Sequence, residues 1–319
     1  MTSEITVIIM TYNQKDYIKQ AIDSVLSQKI DIDFNILIHD DCSSDGTYEI
    51  LRDYQKRFPN KIKIVRQESR KFLIDGFNMM IFKYVVPHID SKFVAYCDGD
   101  DYWCDEFKLQ KQYKFLKEHD GYSMCFHNAY QLKRDGDMSS KWFMQDEGDI
   151  TMSDLVNDEP GIKVATSSIF LKSSTFKNFS EWRKQFPVED VPMYMTAALD
   201  GKIHRFKDVM CVYRQFASGS WTSQNKGNSQ RVIDHLEGIV RGTKLFDIET
   251  NHTYHDLVEL QLSSCEFRIA FVKKDFKVLF SKRMRKNLKK MSFKERISLK
   301  LQYRTPRLYS LLCKKEPKK

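Results

Sequence analysis

The first 97 residues alternate between two spacings of apolar side chains, and this alternation constrains the fold more than any other feature of the chain. "ITVIIM" (5–10) is apolar and β-branched almost throughout, as a central strand covered on both faces must be. From Asp16 to Gln28 the apolar residues Tyr17, Ile18, Ala21, Ile22, Val25 and Leu26 fall at helical spacing. "FNILIHD" (34–40) reads as a strand, and "TYEILRDYQKRF" (47–58) as a helix ended by Pro59-Asn60. "KIKIVR" (61–66) is a strand, "DGFNMMIFKYV" (75–85) a helix and "KFVAYC" (92–97) a strand again. A βαβαβαβ order predicts an α/β fold, with a mostly parallel sheet flanked by helices on both faces.

The spacing continues with a helix over 107–118, strands over 122–132, 167–172 and 204–216, and a helix over 189–201 closed by Gly201. Past residue 228 strand signals stop, and helical patterns run through 256–272 and 276–290. The Gly/Ser/Asn-rich "ASGSWTSQNKGNSQ" (217–230) is the natural boundary, so we expect one domain over 1–220 and a helical, basic C-terminal extension over 221–319. Seven scattered cysteines without CxxC or Cys/His spacing argue against structural zinc and a disulfide framework, and for a reducing compartment. No apolar run approaches the ~20 residues of a membrane span, and the N-terminus lacks a signal-peptide layout. The expected location is the cytoplasm.

Charge is unevenly spread. Residues 273–319 hold 18 Lys/Arg against three acidic residues, whereas residues 1–272 hold 34 basic against 40 acidic. The tail interleaves its cations with Phe, Met, Leu and Ile, which favours an amphipathic helix on an anionic membrane surface at the inner face of the cell membrane. RNA is the rival polyanion, but no recognition signature accompanies the basic residues and no nucleic acid is expected.

In an open parallel sheet, ligands bind outside the carboxyl ends of the strands. Three polar groups stand there: "TYN" (11–13), "DDCSSDGT" (40–47) and "DGDD" (98–101). Asp45 or Ser44 suits a helix N-cap. Asp98, Asp100 and Asp101 would repel one another and raise each other's pKa unless a cation or hydrogen-bond donors offset the charge. Oxygen-only ligands suit Mg²⁺ or Mn²⁺.

"VIIMTYNQKDYIKQAIDSVLSQ", "IHDDCSSDGTYEIL" and "VAYCDGDDYWCDEFKLQKQ" resemble the signature blocks of family-2 glycosyltransferases with the GT-A nucleotide-sugar-binding fold, of the bacterial polysaccharide and glycan-assembly type. The resemblance spans roughly residues 4 to 220. It implies a UDP-sugar donor, with Thr11 and Tyr12 along the uracil and Asp41 accepting the base N–H. It makes Asp98 and Asp100 the DxD motif, with Asp100 or Asp101 as direct metal ligand. It makes Gly99 the slim point for the diphosphate, Asn78 a nucleotide neighbour with Arg70 or Lys71 as alternative phosphate contacts, and Trp103 a residue packing on the sugar. "VEDVPMYMTAALDGKIHRFKDVMCVYR" is similar to the acceptor-side block, with Asp190 at the catalytic-base position. The implied reaction is single, inverting sugar transfer to a hydroxyl of a glycan or lipid-linked acceptor.

Phe216 departs from the pattern by standing where many relatives carry a His, and the QxxRW block of processive synthases is absent. Trp221 suits a lid position. His252 and His255 share a helical face and could bind metal, but they read as plain surface residues. A non-catalytic nucleotide-sugar-binding relative acting as a subunit or scaffold is the alternative, although such a scaffold needs no carboxylates for both metal and base.

Overall fold

The computed structural model describes residues 3–138, 140–141, 146–156, 164–215, 217 and 228–305. The chain divides into two compact units, residues 1–227 and 228–319. In the first, the order is β1 (Ile5–Thr11), α1 (Ile18–Leu26), β2 (Phe34–Asp40), α2 (Thr47–Arg57), β3 (Ile62–Arg66), α3 (Lys71–Asp75), α4 (Phe77–Tyr84) and β4 (Phe93–Tyr96), which is the expected rhythm with one added short α-helix, α3. Then come β5 (Tyr102–Trp103), α5 (Lys108–Glu118), β6 (Tyr122–Leu132), β7 (Ser140–Lys141), β8 (Gly148–Ile150) and α6 (Met152–Val156). β9 (Phe170–Lys172), α7 (Ser173–Lys177), α8 (Glu181–Lys184), α9 (Asp190–Asp200) and β10 (Lys202–Arg214) complete the unit.

Among the described residues the strands form one sheet in the order β3-β2-β1-β4-β9-β6-β10-β5, with β7 on β6 and β8 on β10. β3, β2, β1 and β4 are parallel neighbours, and β6 runs parallel to β10. β9 is antiparallel to both β4 and β6. The fold class is therefore α/β with a mostly parallel, mixed sheet.

β1 shows why. All seven of its residues are buried. Ile5, Val7 and Ile9 join the cluster built with Ile18, Ile22 and Val25 of α1, Leu51 of α2 and Leu109 of α5. Ile8 and Met10 face the other way, toward Met80 and Ile81 of α4, Phe176 of α7 and Met193 of α9. Two-residue alternation thus feeds two cores, and each fully buried aliphatic side chain contributes about 1.5–3 kcal/mol.

The second unit is helical: α10 (Ser229–Glu249), α11 (His255–Lys273), α12 (Phe276–Leu279), α13 (Arg285–Lys290) and α14 (Phe293–Arg304). The helix expected over 276–290 is two short ones. Asp275 caps α12 through the Val278 N–H at 3.1 Å, and Arg283 is drawn to Glu259 and Glu266 of α11 at 2.9 and 2.8 Å, which holds the connection as a turn. Ser292 and Glu295 form a capping box at the start of α14.

Candidate active site

The strand order places β4 on the opposite side of β1 from β2 and β3, so the chain reverses its winding between β1 and β4. Beyond that switch point the loops diverge and leave room for a ligand. The loops after β1, β2 and β4 all end there.

The first two are stitched together. The Asp41 N–H donates to the Thr11 carbonyl at 3.0 Å, the Ser44 N–H to Asn13 Oδ1 at 2.9 Å and the Lys15 N–H to Asp45 Oδ2 at 3.1 Å. Gly46, not Asp45 or Ser44, occupies the N-cap position of α2, with φ +102°. Asp45 accepts the Thr47 N–H from one residue further back, at 3.0 Å. Thr11 is buried, and its Oγ1 has no hydrogen-bond partner among the described residues.

Tyr12, Asp41 and Arg70 form one wall. The Arg70 guanidinium lies 3.9 Å from the centre of the Tyr12 ring, and its Nε is 3.9 Å from Asp41 Oδ2. Asp41 also accepts the Lys71 and Phe72 N–H groups at 2.6 and 3.2 Å, which anchors the start of α3. Burial pushes its carboxyl pKa up against these bonds. The Lys71 ammonium turns to Ser69 Oγ at 3.1 Å, which leaves Arg70 as the cation on this wall.

The three aspartates after β4 divide their tasks. Asp101 is buried at 1% exposure. Its Oδ1 accepts the Arg214 N–H and its Oδ2 the Ser167 hydroxyl, both at 2.9 Å. Each oxygen thus carries one hydrogen bond that pins the loop, and Asp101 is the most buried of the three. Asp98 and Asp100 are only half-buried. Burial, followed by the charges of Asp100 and Asp190, pushes Asp98 up to about 8. Burial also raises Asp100, against the pull of Arg214 and Gln14. Two accessible carboxylates that repel each other, with oxygen-only donors, fit a divalent cation of the Mg²⁺ or Mn²⁺ kind.

Gly99 serves packing. A Cβ there would come 2.4 Å from Gln14 Oε1 and 3.0 Å from the Met10 carbonyl, so only glycine lets this loop lie against the end of β1. Trp103 is a post beneath the same loop, not a sugar contact. It is 4% exposed, and its Nε1–H donates to the carbonyls of Tyr96 and Ser167 at 3.2 and 2.9 Å. The ammonium of the buried Lys108 sits 3.9 Å from its ring, and burial lowers that lysine's pKa to about 8.

Asp190 opens α9, with Glu189 in the N-cap position. Its Oδ1 accepts the Val191 N–H at 2.8 Å, and burial raises its pKa. Tyr194, one helical turn on, has a buried hydroxyl without a partner among the described residues, and burial, then the charges of Asp190 and Asp98, raises its pKa. The segment leading into α9 is pinned from below. Asn78 Nδ2 donates to the carbonyls of Arg183, Phe186 and Val188 at 3.2, 2.9 and 2.6 Å. Asn78, expected beside the nucleotide, is instead a 1% exposed brace for this segment. The fully buried Arg183 donates through Nη1 to the carbonyls of Thr175, Phe176 and Asn178, and pairs through Nη2 with Glu189. Phe216 and Trp221 lie outside the described residues.

Sequence reasoning missed Ser167, Arg183, Glu189 and Tyr194. The "ED" pair drew attention only to its second member, and "EWRKQF" reads as a run of surface charges.

The family model of Glycosyl transferase family 2 matches residues 6–179. An uncharacterised Mycobacterium bovis protein is 28% identical over 231 residues, 68% of this chain and 60% of its own. The putative teichuronic acid biosynthesis glycosyltransferase TuaG of Bacillus subtilis is 33% identical over 136 residues, 41% of this chain and 51% of its own. Less than two thirds of either relative's length is thus matched. Among solved structures, residues 1–349 of S. aureus TarS in complex with UDP-GlcNAc superpose with TM-score 0.59 at 20% identity, covering 92% of this chain and 77% of that one. The mannosyltransferase PcManGT of Pyrobaculum calidifontis, in complex with GDP-Man and Mn²⁺, gives 0.54 at 15% identity, covering 98% and 83%. With the family model running over more than half of its length and the GT-A architecture in its sheet, this chain belongs to glycosyl transferase family 2.

Proposed function

We propose that this chain is an inverting, divalent-cation-dependent glycosyltransferase. It moves a hexosyl or N-acetylhexosaminyl group from a UDP-sugar to a hydroxyl of a glycan or lipid-linked acceptor. The observation that carries the reading is the approach of Asp190 to Asp98 and Asp100, distant from it in sequence, closely enough for Asp190 and Asp100 to raise the pKa of Asp98. TarS complexes with UDP and UDP-GlcNAc, and the PcManGT complex with GDP-Man and Mn²⁺, support a nucleotide-sugar donor and a cation.

In this reading the Tyr12 ring stacks on uracil. Asp41, whose oxygens keep lone pairs beyond the two backbone N–H bonds, accepts the base N–H. Thr11 Oγ1 gains the partner it lacks. Asp98 and Asp100 would hold Mg²⁺ or Mn²⁺, which offsets charge on the departing diphosphate. Asp190 takes the acceptor hydroxyl's proton at Oδ2, since Oδ1 is occupied by the Val191 N–H. Its raised pKa moves it toward the neutral range, where a general base works best. The acceptor oxygen attacks the anomeric carbon as the bond to the diphosphate breaks, which inverts that centre in one step.

The acceptor side of the proposal includes an anionic membrane surface. α14 exposes Phe293 at 71% and Ile297 at 42% on a helix that also carries Lys294, Arg296, Lys300 and Arg304. Among the described residues no helix is long and apolar enough to cross a membrane.

Calorimetric titration of UDP with Mn²⁺ and then EDTA, with ADP and GDP as controls, tests the donor site. Asp100→Ala should lose cation-dependent UDP binding. Asp190→Asn should keep it and lose transfer by about 10²–10⁴-fold. Normal turnover by Asp190→Asn would remove the base, and UDP binding indifferent to EDTA would remove the cation.

A further inference from the structure

The two histidines that read as plain surface residues share one carboxylate partner. Asp247 lies in the last turn of α10, and His252 and His255 lie in the turn to α11 and at its first residue. Nδ1 of His252 stands 2.8 Å and Nδ1 of His255 2.9 Å from the same oxygen, Asp247 Oδ2. The three ligand atoms lie within 4.8 Å of one another. Bond lengths of about 2.0–2.2 Å to nitrogen and oxygen place ligand atoms about 3.3 Å apart in a tetrahedral site, so sub-ångström movements of two exposed imidazoles would seat an ion. The histidine side chains are 63% and 55% exposed and free to make that movement, while the Asp247 side chain is 10% exposed and fixed.

A second observation points the same way. Asp247 Oδ1 is buried and accepts no hydrogen bond among the described residues. A mostly buried carboxylate oxygen without a partner calls for an explanation, and a bound ion is one.

We propose that Asp247, His252 and His255 bind a Zn²⁺-class transition-metal ion, with the remaining coordination positions left to water. Imidazole selects Zn²⁺, Co²⁺ or Ni²⁺ over the hard Mg²⁺ and Mn²⁺ that suit Asp98 and Asp100, so the two sites sort different ions by ligand chemistry. The ion clasps the α10–α11 turn, and its binding energy adds to the stability of this unit. Protons compete with the metal for the imidazole nitrogens, so affinity falls as the solution is acidified. The proposal is independent of the transferase reading.

The test is titration of the chelator-stripped full chain with Co²⁺ in excess Mg²⁺, followed by its visible absorption. The expected result is a saturable band corresponding to a single equivalent, displaced by a single equivalent of Zn²⁺. The exposed substitutions His252→Ala and His255→Ala should each weaken binding tenfold or more, and the double variant should abolish the band while keeping the far-ultraviolet helical spectrum. A wild-type chain without a saturable band, or a double variant that binds as tightly as the wild type, overturns the proposal.

Discussion

Replacing Arg183 by Met should unfold the platform beneath Asp190 by a calculable amount. Arg183 is fully buried, and Glu189, its partner, is 2% exposed. Met keeps most of the side chain's length and volume, so the loss is mainly that of charge and hydrogen bonds. Removing one member of a buried pair strands the other and costs about 3–5 kcal/mol. Three carbonyls, at 3.3, 3.1 and 2.9 Å from Nη1, lose their donor as well. For a domain of this size that is a fall of roughly 6–20 °C in melting temperature.

The cost should depend on pH in a definite direction. Burial already pushes Glu189 up to about 7 from 4.5, against the opposing pull of Arg183. The folded chain therefore holds a proton there that the unfolded chain has lost, and stability falls as pH rises between those values. Without Arg183 the folded pKa climbs further, so the fall continues to higher pH and the variant is weakest in alkaline buffer. Adding Glu189→Gln should recover about half of the loss or more and flatten the profile. Urea unfolding of the single and double variants at several pH values reads all of this. A loss below about 1 kcal/mol for Arg183→Met, or one indifferent to pH, would refute the argument.

Two further expectations concern charge. Asp98 is raised to about 8 from 3.8 by burial and then by Asp100 and Asp190, so without a cation stability should fall as pH rises between those values, because the folded chain retains the proton. Saturating Mn²⁺ with UDP should cancel the fall, and equal slopes of melting temperature against pH with and without them would dissociate the cation from Asp98. Phosphatidylserine vesicles should capture the full chain at low salt, at about 1 kcal/mol per Lys or Arg near the surface, and release it as salt rises. Removing residues 306–319, with Arg307, Lys314, Lys315, Lys318 and Lys319, should weaken capture, and equal capture without them would discount the tail.

The order of elements was readable because apolar spacing is a local property: β1, α1, β2 and α2 each announce their period within ten residues or so. That the charges of Asp98 and Asp190 bear on one another was implied only by the resemblance, since no local pattern carries an interaction of that range. The tasks of neighbouring loop residues were not readable at all. Asp100 and Asp101 are adjacent and chemically identical, yet Asp101 is tied to Ser167 and to the Arg214 N–H, 66 and 113 positions away. Asn78 and Trp103 were misplaced for the same reason: their polar atoms bond backbone carbonyls, which leave no trace in side-chain identity. Nor does a short apolar segment such as "FLK" state its direction, so the antiparallel β9 between β4 and β6 could not be foreseen.

The charges around the switch point explain why cation and nucleotide should arrive together. Each arginine described near the site already has an occupation. Arg183 is matched to Glu189, Arg70 faces Tyr12 and Asp41, and Arg214 donates to the Asp100 carbonyl and to Gln20. The charges that bear most on Asp98 are Asp100 and Asp190, both negative. A diphosphate approaching this edge alone would add anion to anion in a site where burial strengthens the repulsion. In the proposed reading, a divalent cation held by Asp98 and Asp100 would reverse the sign of the local field and lower the carboxylate pKa values, leaving Asp190 ionised and able to accept a proton. The same carboxylates that make the empty edge costly therefore make the loaded one selective, and UDP should bind far more weakly to this chain without the ion than with it.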